Sequence, residues 1–400
     1  MTEKKFGKAA MVPFSDAELE RRLNNVRAKM TEMGLDGVLF RSSESVYYLT
    51  GMNHYGFFAE HLLLVPLQGK MRLVVRETET VTFNTKGCAR NTLFCPFQDY
   101  ENSYDRVVQE VKDMNLENAH WGLEKAFMSA TPFKVMEAII EKLPNVKWTD
   151  FSDAIMYIRI QQSEEELAYT REAGRISTAM MQAVVDNFHI GAYENEIAGE
   201  VLKTMAYEGG EYPGFPPFVH TIQPGQGWCE HVAWQNNTVK VGDNFLAELS
   251  ACINHYHAPI GRLLYTEEIS DFTRRMCEIN KEAFYVVLEN LKEGVTFGEV
   301  WDKWRAFMKK QNLPGDYYRR HCGYVTGLSF PPSWCGGGSV ISLQHTNNMI
   351  IRKGMVFHAL PAMFDNGHLD ALMSSAAVAG ETHGEALTNF TFDPITCANK

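Results

Sequence analysis

The sequence predicts a two-domain α/β protein: a mixed α/β N-terminal domain over 1–160 and a larger α+β domain over 161–400. Its 400 residues exceed what one ordinary domain holds. A hydrophobic fraction of 45% with 22% charged residues is that of a globular chain, which excludes disorder and fibrous repeats. Strand-like apolar runs alternate with amphipathic stretches throughout, the pattern of layered helices and sheets.

In the first domain, Leu19, Leu23, Val26, Met30 and Met33 recur at three-to-four spacing among charges and predict a helix over 16–33. Gly34-Leu35-Asp36 ends it, and an apolar strand starts at Gly37. Further strands are predicted over 46–49, 62–65 and 71–75, and helices over 104–114 and 132–143. The domain ends at Ile158-Arg159-Ile160, because Ser163 and Glu166 then stand at capping-box spacing for a long helix towards Phe188. The second domain continues with a helix over 195–207 stopped at Glu208-Gly209-Gly210, and strands over 221–223, 244–252 and 256–265. Helices over 269–291 and 296–311 and strands over 355–363 and 372–379 complete it.

A formal charge of −11 argues against nucleic acid as a partner, since phosphate binding needs clustered Lys and Arg. The eight cysteines form no CxxC pair, and Met1 to Ala10 has no secretory character, so reduced thiols in a cytoplasmic protein are expected. No apolar run approaches the eighteen or so residues of a membrane span.

The motifs that carry chemistry lie in the second half. They are Val241-Gly242-Asp243, Glu248-Leu249-Ser250, Tyr256-His257-Ala258-Pro259 with Arg262, Gly323-Tyr324, Gly354-Met355-Val356 and Ser374-Ser375, preceded in the first half by Tyr47-Tyr48-Leu49-Thr50-Gly51. In order and spacing this framework resembles the creatinase/aminopeptidase P superfamily. The resemblance implies a creatinase-like N-terminal domain and a pita-bread catalytic domain whose usual members hold two divalent metals on two Asp, one His and two Glu. Here the five places read Glu248, Pro259, Tyr324, Leu360 and Ser374 or Ser375. Proline and leucine offer a cation no lone pair, and a two-metal hydrolase needs several carboxylates to hold its ions about 3.5–4 Å apart. The resemblance therefore points to the metal-independent branch, with creatinase and ectoine hydrolase, which cleaves C–N bonds in small zwitterionic solutes. No cofactor is expected.

Within that resemblance His231 takes the place of a general acid/base, a task suited to an imidazole that titrates near working pH. Glu248, in a strand otherwise apolar, is a nucleophile or an electrostatic partner. Tyr324 is a third catalytic candidate, as a hydrogen-bond donor to a developing oxyanion, with His321 a displaced partner. Arg262 offers a planar fork to a substrate carboxylate or to Glu248. Creatinase has a glutamate where this chain has Gly261, so creatine itself fits poorly. Tyr256, His257 and His358 are expected to line the site, with His255 at the surface by strand alternation. Trp228, Trp234, Trp334, Phe57 and Phe58 are candidates for a cage around a cationic solute. Each candidate also has a plain structural reading: a buried histidine bonded to a carbonyl, a Glu248–Arg262 pair, aromatics as core.

The family's habit of reaching the neighbouring subunit's site implies a homodimer, with the loop from Asn53 to Glu60 as a lid. Three other readings fit the same residues. One is a lyase acting on a betaine- or sulfonium-type solute, suggested by the missing glutamate near Ser374. Another is an Xaa-Pro aminopeptidase-like metallohydrolase rebuilt on Glu248, His231, His257, His321 and His358. The last is a non-catalytic solute-binding homologue, since fold does not fix function.

Overall fold

The computed structural model describes residues 13–86, 88–126, 131–227, 231–313, 320–335, 340–365 and 368–397. The chain divides into two compact units, one ending at Arg159 and the next beginning at Ile160.

The first unit runs α1 (Asp16–Glu32), β1 (Gly37–Phe40), α2 (Ser43–Thr50), β2 (His61–Pro66), β3 (Met71–Arg76), α3 (Thr80–Lys86), β4 (Thr92–Phe97), α4 (Ser103–Asp113), β5 (His120–Leu123), α5 (Phe133–Lys142), β6 (Lys147–Asp150) and α6 (Ser152–Arg159). Its sheet has the order β4-β3-β2-β1-β5-β6 and is mixed. β1 pairs antiparallel with β2 and parallel with β5. The strand predicted over 46–49 is a helix instead, α2. Ser42 caps it by accepting the N–H of Ser45 at 3.2 Å. All eight α2 residues are buried, so no polar face marks the helical period in the sequence.

The second unit runs α7 (Glu164–Asn187), α8 (Glu194–Tyr207), β7 (Phe218–Ile222), β8 (Asn244–Ile253), β9 (Tyr256–Tyr265), α9 (Asp271–Asn290), α10 (Phe297–Lys309), β10 (Gly323–Val325), β11 (Val356–Ala359), β12 (Met363–Asp365), β13 (His368–Ala371), β14 (Met373–Val378), β15 (Glu385–Ala386) and β16 (Ile395–Thr396). The single strand predicted over 355–363 is broken at Leu360-Pro361, and β12 belongs to a separate two-stranded ribbon. Proline has no N–H for the ladder. The main sheet has the order β10-β11-β14-β9-β8-β7, antiparallel throughout that path.

Strand alternation gives this sheet two faces. Val219, Phe245, Ala247, Leu249, Ala251, Ala258 and Ile260 pack with Ile176, Met180 and Val184 of α7 and Ile197 and Val201 of α8 into one core. The helix that supports it starts from a complete capping box. Ser163 accepts the N–H of Glu166 at 3.3 Å, and Glu166 accepts that of Ser163 at 2.7 Å. β8 and β9 are joined by a two-residue turn in which Asn254 has φ 48° and His255 φ 66°, the left-handed pair that matches strand twist.

Candidate active site

The other face of the sheet carries the candidate catalytic side chains. Tyr324 pairs with His358, Ser374 with Gly261, Gly261 with Glu248, and Glu248 with Phe218. Residues directly opposite in a ladder point to the same side. Tyr324, His358, Ser374, Gly261, Glu248 and Phe218 thus form a row across β10, β11, β14, β9, β8 and β7.

His358 is the hub of this row and is fully buried. Its Nδ1 is 2.9 Å from Tyr324 Oη, and its Nε2 is 2.8 Å from Ser374 Oγ. The indole N–H of Trp334, itself 1% exposed, donates to Tyr324 Oη at 2.9 Å. Glu248 Oε1 lies 3.7 Å from His358 Nδ1, an ion-pair distance when the ring is protonated and too long for a hydrogen bond. A carboxylate that is 5% exposed, a titratable ring and a phenol are thereby collected in a region screened from water.

Two glycines let the walls close. A β-carbon on Gly261 would lie 2.6 Å from both Ser374 Oγ and Leu372 Cδ2, so only glycine leaves room for the row. One on Gly214 would stand 1.9 Å from Ser333 O, and this approach brings Phe215 against Trp334, with ring centroids 4.8 Å apart. His231 stands in an exposed turn, with its ring 6.2 Å from that of Phe215 and 5.8 Å from that of Phe218. Since Phe218 is the cross-strand neighbour of Glu248, His231 falls on the site face. The loop after it is anchored by Glu194, whose carboxylate accepts the N–H of Thr221 at 2.8 Å and that of Gln235 at 2.7 Å.

Several sequence-based expectations need correction. Arg262 pairs with Ala247 and so points away from Glu248. Its guanidinium, 1% exposed, donates to the carbonyls of Thr391, Gly261, Ser374 and Phe390, leaving no fork for a substrate carboxylate. Burial lowers its pKa to about 9, and four carbonyl acceptors keep it a cation at neutral pH. Tyr256 faces the helices, and its hydroxyl donates to Glu166 at 2.7 Å. His257 is on the site side, but both ring nitrogens serve the backbone. Gly214 N–H donates to Nε2 at 2.8 Å, which leaves the proton on Nδ1 for Gly327 O at 3.1 Å. Burial holds its pKa down to about 4. His255 is buried rather than at the surface, stacked on Phe330 with centroids 3.8 Å apart. Trp234 packs against the helix-side core. Ser375 turns towards Thr388, so Ser374 is the serine at the site. His321 lies beside Tyr324, ring centroids 6.0 Å apart. Phe57 and Phe58 belong to a short 3-10 turn of the first unit, where Phe58 is exposed. Trp228 lies outside the described residues. Phe215 and Phe218 went unnoticed in the sequence; the signal was two aromatics in a Pro/Gly-rich run leading into a strand.

The donors on the row do not fit a pair of hard divalent ions. Pro259 and Leu360 offer no lone pair, Tyr324 and Ser374 are both bonded to His358, and the row carries one carboxylate among the described residues. The rebuilt histidine cluster fares no better, because the nitrogens of His257 and His358 all have partners.

A two-domain chain with this sheet and a candidate active-site row on one face of it has the architecture of the pita-bread hydrolases. Residues 168–384 match the model of metallopeptidase family M24, and 22–161 match that of the creatinase/prolidase N-terminal domain. The chain belongs to metallopeptidase family M24 and is a hydrolase of the creatinase/M24 family. It is 23% identical to the ectoine hydrolase of Halomonas elongata, over 88% of this chain and 91% of that one. It is 22% identical to a creatinase from a Bacillus species, over 97% and 94%. A prolidase from Thermococcus sibiricus superposes with a TM-score of 0.81 at 20% identity, covering 94% of this chain and 99% of that one, which shows the shared fold. Among the described residues no helix is long and apolar enough to cross a membrane.

Proposed function

We propose that this protein hydrolyses a C–N bond of the amidine or amide type in a small zwitterionic solute, ectoine- or creatine-like, without a metal ion. The observation that carries the reading is His358, whose ring is held between Tyr324 and Ser374, two positions that the family resemblance assigns to metal ligands. Glu248 is the carboxylate that attacks or stabilises the electrophilic carbon. His231, exposed to solvent beside Phe218, supplies and accepts the proton of the leaving nitrogen. Tyr324, fixed by the Trp334 N–H, is placed to donate to a developing oxyanion. The ectoine hydrolase and creatinase relatives support the solute class, and the lack of space at Gly261 for a second carboxylate argues against creatine itself.

The test is turnover of ectoine, hydroxyectoine, creatine and a Pro-containing dipeptide by exhaustively chelated protein. Activity on one of the solutes should survive chelation and fall by roughly 10²–10⁴-fold in both Glu248→Gln and His231→Ala. Loss on chelation, restored by divalent metal, would sink the proposal, as would dipeptide cleavage alone. The reading also includes a homodimer in the cytoplasm, with the segment around the exposed Tyr55 and Phe58 applied to the partner. A monomer by light scattering with full activity would remove that part.

A further inference from the structure

The closed end of the β8–β9 hairpin gathers three side chains of metal-binding type away from the row. Glu211, Cys252 and His255 each present one ligand atom, all within 4.8 Å of one another. Cys252 is the penultimate residue of β8, and the Glu211 N–H donates to its carbonyl at 2.8 Å, which ties the segment before β7 to the hairpin. His255 is the second residue of the turn.

Two features of the turn shape this cluster. The turn residues Asn254 and His255 have φ of 48° and 66°, and a two-residue turn of this kind favours glycine second. A β-carbon in the left-handed region is strained, yet the chain places an imidazole there, 4% exposed, and turns it towards Cys252 and Glu211. The backbone N–H groups of the same turn also serve the two acidic ligands: those of Asn254 and His255 reach Glu211, and that of His255 reaches Cys252. Such N–H groups orient anionic ligands around a metal.

We propose that Glu211, Cys252 and His255 bind one borderline-soft divalent cation of the zinc class. Thiolate and imidazole exclude magnesium and calcium, which take oxygen ligands. Binding forms a metal–sulfur bond and releases the thiol proton to solvent, along with the carboxyl proton where Glu211 carries one. The imidazole binds through a lone pair, and water completes the tetrahedron. Ligand atoms around tetrahedral zinc stand about 3.5 Å apart, so side-chain rotation of about an ångström closes the site. Cys252 is four positions beyond Glu248, about 13 Å along the strand at 3.3 Å per residue, too far for the ion to act on a substrate there. It acts as a clasp for the hairpin that carries Glu248.

The experiment is a titration of the chelated full-length protein with Co(II), read by absorbance and thermal melting. One equivalent should give a thiolate-to-cobalt band in the near ultraviolet with intense tetrahedral bands, displaced by Zn(II), and raise Tm by several degrees. Cys252→Ser should abolish the near-ultraviolet band, and His255→Gly, which suits the turn, should weaken binding at least ten-fold while folding normally. Cys335→Ser, at a buried thiol near enough to Glu248 to feel its charge, and Glu248→Gln should leave the titration unchanged. No band at one equivalent, or an unaltered titration in Cys252→Ser, would overturn the clasp. A band lost in Cys335→Ser instead would place the ion on the row. That would overturn this proposal and the metal-independent reaction together, whereas failure of the clasp alone leaves the reaction standing.

Discussion

At the scale of single residues, one carboxylate and one imidazole form the centre of the candidate site. Glu248 is legible in the sequence as a charged residue in the apolar run Phe245 to Leu249, and Pro259 and Leu360 are legible as non-ligands. The role of His358 is not legible, because it depends on Tyr324 and Ser374, 34 and 16 residues away in sequence, closing on its two nitrogens. Gly261 provides a sharp test. Adding a β-carbon in Gly261→Ala must push Ser374 or Leu372 aside and should cost about 1–3 kcal/mol in urea unfolding, with a loss of turnover larger than the stability loss explains. Tyr324→Phe keeps the ring but removes the bond to His358 and leaves the Trp334 N–H without its acceptor. A fall in kcat of roughly ten-fold or more at unchanged KM is the expected outcome, and unchanged kcat would remove Tyr324 from the site.

At the scale of elements, the β8–β9 hairpin shows how alternation assigns roles that residue type alone leaves open. Tyr256 and His257 are neighbours in a motif, and both read as site residues, yet the pleat sends them to opposite faces. Tyr256 reaches Glu166, the residue that closes the capping box of α7, so it couples the hairpin to the start of the long helix. Tyr256→Phe should therefore lower stability by about 1.5–3 kcal/mol, as for loss of a hydrogen bond to a charged group, and leave kcat/KM within two-fold or so. Arg262 does similar work at the other end, where its guanidinium fastens the carbonyls of Phe390 and Thr391 to the sheet. The α2 helix shows the opposite limit: its residues are buried on every side, and a short apolar run without a polar face does not distinguish strand from helix.

At the scale of the whole molecule, each unit contains a histidine buried in its neutral form. His61 in the first unit and His257 in the second are each held down to about 4 by burial, against about 6.5 for the free side chain. A folded pKa below the unfolded one means that the unfolded chain takes up more protons between these values. Stability from both groups is therefore fully present above pH 6.5 and lost as pH falls towards 4, by at most roughly 3 kcal/mol each. Urea midpoints measured from pH 7 to 4 should fall steeply across this window, and His257→Gln should flatten the slope for the second unit. A flat profile in the unaltered protein would show that one or both rings are protonated in the folded state.

Local sequence chemistry carries the family framework, the two-domain division of fold types, most elements of the second unit and the non-ligand character of Pro259 and Leu360. Periodicity, turn chemistry and side-chain donor capacity are local properties, and each can be read one segment at a time. Tertiary structure decided which of the chemically eligible residues face one another. It buried Arg262 among carbonyls, committed both nitrogens of His257 to the backbone, turned Ser374 rather than Ser375 inward and brought Phe215 and Trp334 beside Phe218 of the row. These outcomes depend on strand register and on loops meeting across long sequence separations, where a shift of one residue exchanges the two faces of a strand.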